Sequence, residues 1–377
     1  MKKDWTYKKL GEIAETYRGL TYSKADEAVS SSKGVLRSNN IDLVTHQLNF
    51  DEIKYLREDF VVPEEKKVKK NSIFICMSNG SMQHLGKVAY VDKDYDFAFG
   101  GFMGLIVPKE DICSKYVYYA LLSPNFITEI LKNGKGANIN NLRFTDVEQY
   151  SLPIPPISIQ ESIVRELDAI HGILEKKQEQ LHELDHLAQA IFYDMFGDPI
   201  TNEKGWEVKK LGEVCENCDY MRKPITASDR IPGDIPYYGA SGIVDYVRDY
   251  IFDGDYLLVS EDGANLLARS TPIAFSISGK NWVNNHAHVL KFEESSTQLY
   301  VQTLINLVDI SDIVTGAVQP KLNQAQLNKF SLPLPPLSLQ QSFAAKIEAI
   351  EAQKTAIRQS IREVEALLAE RMDYYFS

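Results

Sequence analysis

The chain contains one module twice, and this duplication limits what it can fold into more than any other feature. Trp5 and the segment KKLGEIAE (Lys8 to Glu15) return as Trp206 and KKLGEVCE (Lys209 to Glu216), 201 residues later. SLPIPPISIQ (Ser151 to Gln160) returns as SLPLPPLSLQ (Ser331 to Gln340), 180 residues later. Between these blocks FICMSNGS (Phe74 to Ser81) is echoed in pattern by LLVSEDGA (Leu257 to Ala264). The copies are collinear, which marks a tandem repeat of whole modules. The two offsets differ by 21 residues, so the second globular part is shorter by that amount while its flanks are kept.

Each copy divides into a globular part and a long helix. The globular parts hold short apolar runs broken by Gly, Asn and Asp, among them GKVAYV, MGLIVP, IPYYGASGIVDYV and PIAFSIS. Such runs predict short strands with turns. Helices are expected at Ser114 to Lys132 and Thr297 to Val308. The proline trios Pro153, Pro155, Pro156 and Pro333, Pro335, Pro336 lack donor N–H groups and restrict the residues before them, so each predicts an extended connector. Ser158 and Ser338 then stand where helix N-caps are expected.

The segments after the connectors carry apolar residues in a 4,3 alternation: Ile163, Leu167, Ile170, Leu174, Leu181, Leu184, Ala188 and Ile191 in the first, Phe343, Ile347, Ile350, Ile357, Ile361, Val364 and Leu368 in the second. This is the seam of a coiled coil. Lys177 and Lys354 interrupt the seams and read as stems reaching solvent rather than as register devices. Gly197 and Pro199 end the first helix. With two seams and one possible pairing, an antiparallel pair is the simplest burial, and it returns MDYYFS at the C-terminus to the first globular part. The expected fold class is α+β: two homologous mixed α/β domains with β-rich cores (1–157 and 198–337), separated by an antiparallel two-helix coiled coil (158–197 and 338–377) with pseudo-twofold symmetry.

Length and charge restrict function. At 377 residues two or three domains are expected. No apolar run approaches the ~18 residues of a membrane span, the N-terminal stretch lacks a signal peptide's apolar segment, and four cysteines make no disulfide framework. A cytoplasmic location is expected. The net charge is −11, whereas nucleic-acid binding usually leaves a basic footprint. Lys+Arg against Asp+Glu number 21 to 20 over 1–157, 3 to 8 over 158–197, 12 to 18 over 198–337 and 5 to 6 over 338–377. Any DNA contact must come from a local basic surface, or a partner must supply much of the phosphate neutralisation.

A globular domain, an LPxPP connector, a long helix ending in MFG, and then all of it again resembles the specificity subunit of Type I restriction-modification systems. The resemblance covers essentially the whole chain, and the paired SLP-x-PP-x-S-x-Q blocks with their helices carry it. It implies that each globular part is a target recognition domain for half of a bipartite sequence in double-stranded DNA. It further implies that the helices space the halves and dock two modification methyltransferase subunits, with restriction/translocase subunits completing the complex. S-adenosylmethionine, ATP and Mg would then belong to partners, and this chain would hold no cofactor. Divergent readers on matched scaffolds suit a split site of fixed spacing. A free-standing DNA-binding regulator or scaffold of the same fold is the alternative.

The sequence carries no recognisable catalytic motif. There is no Asn/Asp-Pro-Pro-Tyr/Phe tetrapeptide of the kind an adenine methyltransferase uses on a flipped base. Gly80 to Gly86-Lys87 misses the P-loop spacing by one residue, and Val88 follows it. FGGFMG (Phe99 to Gly104) reads as a bulged strand. Cys215 and Cys218 form a lone C-x-x-C, with Cys76 and Cys113 far away in sequence, and read as thiols rather than as a metal site. His182 and His186 read as a polar helix face. His286 and His288 alternate on a presumed strand, facing either DNA or the protein's own core and surface.

Candidate DNA contacts are polar and basic residues on Gly-rich loops, where backbone approaches phosphate and side chains reach base edges. In the first part these are Arg18, Arg37, Asn39, Asn40, Asn79, Ser81, Gln83, Lys87, Lys135, Asn138 and Arg143. In the second they are Arg222, Lys223, Tyr238, Ser241, Arg269, Lys280, Asn281, Asn284, Asn285, His286 and Lys321.

Overall fold

The computed structural model describes residues 5–81, 84–133, 141–316 and 319–377. It divides into two compact units, one of Met1–Lys177 with Ser360–Ser377 and one of Gln178–Gln359.

The first unit holds two four-stranded sheets. One runs Ala14–Arg18, Met103–Pro108, Ile73–Cys76, Val88–Tyr90, all antiparallel. The other runs Glu27–Ala28, Lys54–Leu56, Gly34–Leu36, Phe97–Phe99, its last pair parallel. Ile73–Cys76 is apolar at every position because both of its faces are covered, a pattern proper to a central strand. Ile73 and Ile75 join one core cluster, Phe74 and Cys76 another. The expected helix Ser114 to Lys132 is two, Ser114–Leu122 and Pro124–Asn133. Pro124 explains the break, since proline opens a helix but cannot continue one.

The second unit repeats this plan. One sheet runs Glu216–Asn217, Ala287–Lys291, Tyr256–Ser260, Ala274–Ile277. The other runs Gly242–Val247, Pro232–Gly239, Lys280–Val283, Phe252–Asp253, with the middle pair parallel. The sequence echo lies one residue out of structural register. Phe74 pairs with Leu105 two places after the strand start at Met103, as Leu258 pairs with Val289 two places after Ala287. The partner of Phe74 is therefore Leu258, not Leu257. A one-residue shift moves every side chain to the other face, so this correction decides which residues correspond at the site.

The kept blocks build a frame that is the same in both units. Thr6–Lys9 pairs with Ser151–Ile154, and Glu207–Lys210 with Ser331–Leu334, in identical register. The proline connectors are thus strands of two-stranded ribbons, where a missing donor is tolerated. Tyr116 and Tyr300 donate hydroxyl bonds to the carbonyls of Pro153 and Pro333 at 2.8 and 2.5 Å. The motif's final glutamine has a specific duty. Gln160 Nε2 donates to Pro155 O at 2.8 Å while its Oε1 accepts from Cys113 N at 3.0 Å. Gln340 donates to Pro335 O at 2.7 Å and accepts from Thr297 Oγ1. Both glutamines are buried.

Two forty-residue helices follow, Ile157–Phe196 and Leu337–Phe376. Each starts one residue before the expected serine cap, because Pro156 and Pro336 supply the first carbonyls, to Gln160 N and Gln340 N. Gly197 ends the first helix at φ +75°. In the first unit Ile163, Leu167 and Ile170 are buried, and Met372 and Phe376 join Ile163 and Leu167 in one core. Leu174, Ile361, Val364 and Leu368 are half-buried there. Arg371 and Tyr375 bind Glu166, and Phe376 packs on Tyr116 with ring centres 5.3 Å apart. The C-terminal residues therefore return to the first globular part.

In the second unit the helices run antiparallel: Asp185 meets Lys354, and Phe192 meets Phe343. Ile347 and Ile350 are buried, while Leu181, Leu184 and Ile357 are half-buried. Lys354 overturns its expected role. Its side chain is only 10 % exposed, and its ammonium bonds Asp185 at 2.8 Å and Glu351 at 2.5 Å. Burial lowers its pKa, but these two carboxylates outweigh burial and raise it. A buried cation bound across the pair fixes the helix register.

Candidate nucleic-acid interface

In the first unit five loops converge at one end of the two sheets. They follow the strands ending at Arg18, Leu36, Cys76 and Phe99, with the segment Asn141–Thr145 as the fifth. The joints are hydrogen bonds: Gly100 N to Leu36 O, Leu20 N to Phe99 O, Met77 N and Ser78 N to Phe102 O, Leu142 N to Met77 O. Asn79 Nδ2 donates to Ser38 Oγ at 2.7 Å. FGGFMG is not a bulged strand: Phe97–Phe99 and Met103–Pro108 lie in different sheets, and Gly100 to Phe102 is the turn between them. Gly19 is required where this turn crosses, since a Cβ there would stand 2.5 Å from the carbonyl carbon of Gly100.

A groove of about 610 Å³ lies across this end, lined by Arg18, Ser78, Phe102, Arg143 and Phe144. Arg18 and Arg143 are exposed, and the Arg18 guanidinium stands 6.0 Å from the Phe144 ring centre. That stacking orients a cation without neutralising it. Phe144 fits because Gly104 has no side chain: a Cβ there would meet its ring at 2.8 Å.

The second unit assembles the same end from equivalent loops. Glu261 N donates to His286 O, Leu322 N to Glu261 O, Asn284 N to Tyr238 O, and Ser260 Oγ to Ala240 O. The chemistry differs. In the corrected register Met77 corresponds to Glu261, Gly104 to His288, and Arg18, through the pairing of the first strand, to Asp219. Where the first unit has an arginine stacked on a phenylalanine, the second has a buried ionic network. Arg222 binds Glu261 at 2.6 Å and Asp219 at 3.3 Å; His288 Nδ1 meets Asp219 at 2.6 Å and its Nε2 meets Leu322 O; Lys321 binds Glu261 at 3.0 Å. Burial would raise the Glu261 pKa, but the bonds from Arg222 and Lys321 prevail and hold it below the usual carboxylate range.

Asp219, Glu261 and His288 also bring three metal-capable atoms within 4.8 Å of one another. Two cations already engage the carboxylates, so the arrangement is a charge network that holds Lys321 and the loop carbonyls in place. The cysteine pair is different again. Cys218 is buried and Cys215 half-buried, and burial pushes the Cys215 thiol up to about 12 and raises Cys218 as well. Each thiol has a local backbone partner, Cys215 Sγ donating to Leu211 O at 3.3 Å and Cys218 Sγ to Glu216 O at 3.9 Å. His182 and His186 bond one another through Nε2 on the exposed helix face.

The candidate contacts sort by placement. Arg18, Arg143, Asn79 and Ser81 meet at the first end, with Arg37 and Asn39 on the adjoining loop and Asn39 bonded to Glu52. Lys223, Ser241, Asn285, His286 and Lys321 are exposed at the second end, and Tyr238 is half-buried against Phe275. Other expectations are corrected. Asn40 is fully buried, accepting from Arg37 N and donating to Asn49 O and Glu52 O. Asn281 and Asn284 are buried and hold turns through Gly279 O and His286 N. Arg222 is the hub of the network, and its donors also reach Ala287 O. Arg269, at φ +51°, closes a helix end by donating to Ile305 O and Val308 O. Lys87 stands near His46, whose pKa falls first through burial and then through that charge. Lys280 sits over Tyr250 at the far end of its strand. His288 is core, while His286 lies just before the strand, exposed and bonded to Asp262 at 2.8 Å. Gln83, Lys135 and Asn138 lie outside the described residues. Phe102, Phe144, Asp219 and Glu261 were not legible in sequence, because their part in the site is defined only by contacts with residues distant along the chain or by exposure in the fold.

Two compact β-rich units on one repeated frame, each with a diverged loop end, define a class of paired recognition modules. The family model for the Type I restriction modification DNA specificity domain matches residues 2–184 and again 203–366, and the chain belongs to that family. It is 35% identical over 146 residues to the putative type I restriction enzyme specificity subunit S.HindORF215P of Haemophilus influenzae, covering 39% of this chain and 37% of that one. It is 23% identical to the EcoKI specificity subunit of Escherichia coli over 54% of this chain and 44% of that one. The match therefore spans less than half the length of these two curated relatives. Over 96% of the chain it is 21% identical to the StySPI specificity subunit of Salmonella potsdam, covering 85% of that protein. The fold is shared with the S subunit of a Type-I restriction-modification system from M. genitalium (TM-score 0.54, 15% identity, 99% of this chain and 96% of that one). It is also shared with a chain from a structure of type I R-M complex assembly (TM-score 0.58, 17% identity, 98% and 96%).

Proposed function

We propose that this chain is the DNA-recognition subunit of a Type I restriction-modification complex, each unit reading one half of a bipartite sequence. The observation that carries this is the contrast at equivalent positions: Arg18, Met77 and Gly104 against Asp219, Glu261 and His288, on a frame that is otherwise the same. Keeping a scaffold while changing the chemistry of one end suits two readers of different half-sites. In this reading the chain catalyses nothing. The reaction belongs to two methyltransferase subunits and to restriction/translocase subunits, which hold S-adenosylmethionine, ATP and Mg. The exposed cations at each end are few, so a good share of phosphate neutralisation falls to those partners.

Methylome sequencing of a host carrying this chain with its partners tests the reading. A split motif with an unspecified gap is expected, and insertion into either long helix should change the gap and leave both halves alone. A short continuous motif would refute two readers. Failure to co-purify with any methyltransferase, with specific DNA binding retained, would favour the free-standing regulator instead.

A further inference from the structure

The turn that joins the two sheets in each unit carries one residue at its tip, and the two tips are equivalent. Phe102 accepts backbone bonds from Met77 N at 2.9 Å and Ser78 N at 3.1 Å; His286 accepts the matching bond from Glu261 N at 2.9 Å. Each directly precedes the strand, Met103–Pro108 or Ala287–Lys291, that runs through the unit's core. The backbone of each tip is therefore fixed before any ligand arrives.

The side chains are opposite in character. Phe102 is 71 % exposed and lines the same groove as Arg18 and Arg143. A phenyl group so exposed buries little of its apolar surface in the fold, and it forms no conventional hydrogen bond. Its available contacts are stacking on a base, wedging at a base step, or packing on a thymine methyl. His286 is half-exposed, with Nδ1 bonded to Asp262, which leaves Nε2 as the ring nitrogen outside that bond. An oriented imidazole nitrogen suits a hydrogen bond to a base edge. Asn285 and Lys321 are exposed nearby, Lys321 facing Asp262 in a backbone bridge.

We infer that Phe102 and His286 are the paired specificity-determining tips of the two readers, Phe102 by apolar contact and His286 by hydrogen bonding. This rests on the two-reader reading above. The test uses the complete complex and compares Phe102→Ala, Phe102→Leu, His286→Ala and His286→Phe by methylome sequencing, DNA binding and thermal melting. Phe102→Ala should relax one or two adjacent positions in a single half of the motif, with discrimination there falling about tenfold or more. Phe102→Leu, keeping apolar bulk, should hold more of that discrimination than alanine. His286→Ala and His286→Phe should alter the other half alone. Variants that melt like the parent and methylate the parental motif with unchanged base preference would overturn the inference, as would equal loss of preference in both halves. If the parent shows no bipartite motif, the two-reader reading fails; if its motif is bipartite and indifferent to both tips, only this inference fails.

Discussion

At the scale of single residues, Gln160 and Gln340 explain why the repeated motif ends in glutamine. Each amide is buried and spans from a proline carbonyl to a group on the helix that precedes the connector by some forty residues in sequence. Replacing either by leucine keeps the volume and leaves two buried polar groups unpaired, at about 1–3 kcal/mol each. Urea denaturation of Gln160→Leu should therefore show a loss of about 2–6 kcal/mol; a loss below about half a kilocalorie would mean that the frame rests on the ribbon alone. Glu261 supplies a pH prediction. Its folded pKa lies below the ordinary 4.5, so its contribution to stability is present above that value and is lost as pH falls through the lowered one. Glu261→Gln should destabilise the second unit at neutral pH, and the gap from the parent should close in acid, which amide hydrogen exchange across pH would resolve. A gap constant with pH would assign the loss to packing. The motif's importance was legible in sequence, but the partner of its glutamine was not, because Cys113 and Thr297 belong to no repeated block.

At the scale of elements, the long helices were legible from periodicity and the strands from short apolar runs. Three features were not, for physical reasons. Proline ribbons look like connectors when only the missing donors are counted, since their pairing depends on a strand about 145 residues away in sequence. Equivalence of the two central strands was misread by one residue because both are buried at every position, and a strand without alternation carries no register signal. Lys354 looked like a solvated break in a seam because Asp185, its partner, lies on the other helix. That pair gives a contrast to measure. Lys354→Met should cost less than about 1 kcal/mol, because Asp185 is more than half exposed and Glu351 half exposed, so that losing the ammonium leaves no carboxylate buried without solvent. Lys354→Glu puts a third carboxylate beside Asp185 and Glu351 and should open the pair, seen as lost exchange protection around Phe343 and Ile347. Equal stability of the two variants would show that Lys354 pins nothing.

At the scale of the whole molecule, the sequence order and the order of cores differ. The first unit is completed by residues from the far end of the chain: Met372 and Phe376 are buried in its core with Ile163, Leu167 and Tyr116, Tyr375 and Arg371 bind Glu166, and Asn125 bonds Ser377. The second unit is the single continuous stretch Gln178–Gln359. Removing residues 360–377 should therefore damage the first unit while sparing the second. The loss includes a fully used Phe and a Met, each worth about 2–5 kcal/mol when truncated from a core, and it uncovers Ile163 and Leu167. Such a chain should melt in two steps, the first unit at lower temperature, with the parent's protection kept around Tyr300 and Phe343. A peptide of residues 360–377 added in trans should restore the first unit in proportion to its concentration, because binding to the native form alone stabilises it by mass action. Uniform loss of protection in both units would show instead that the helices fold only as one body. Unchanged melting would show that the C-terminal turn covers the first core without supporting it.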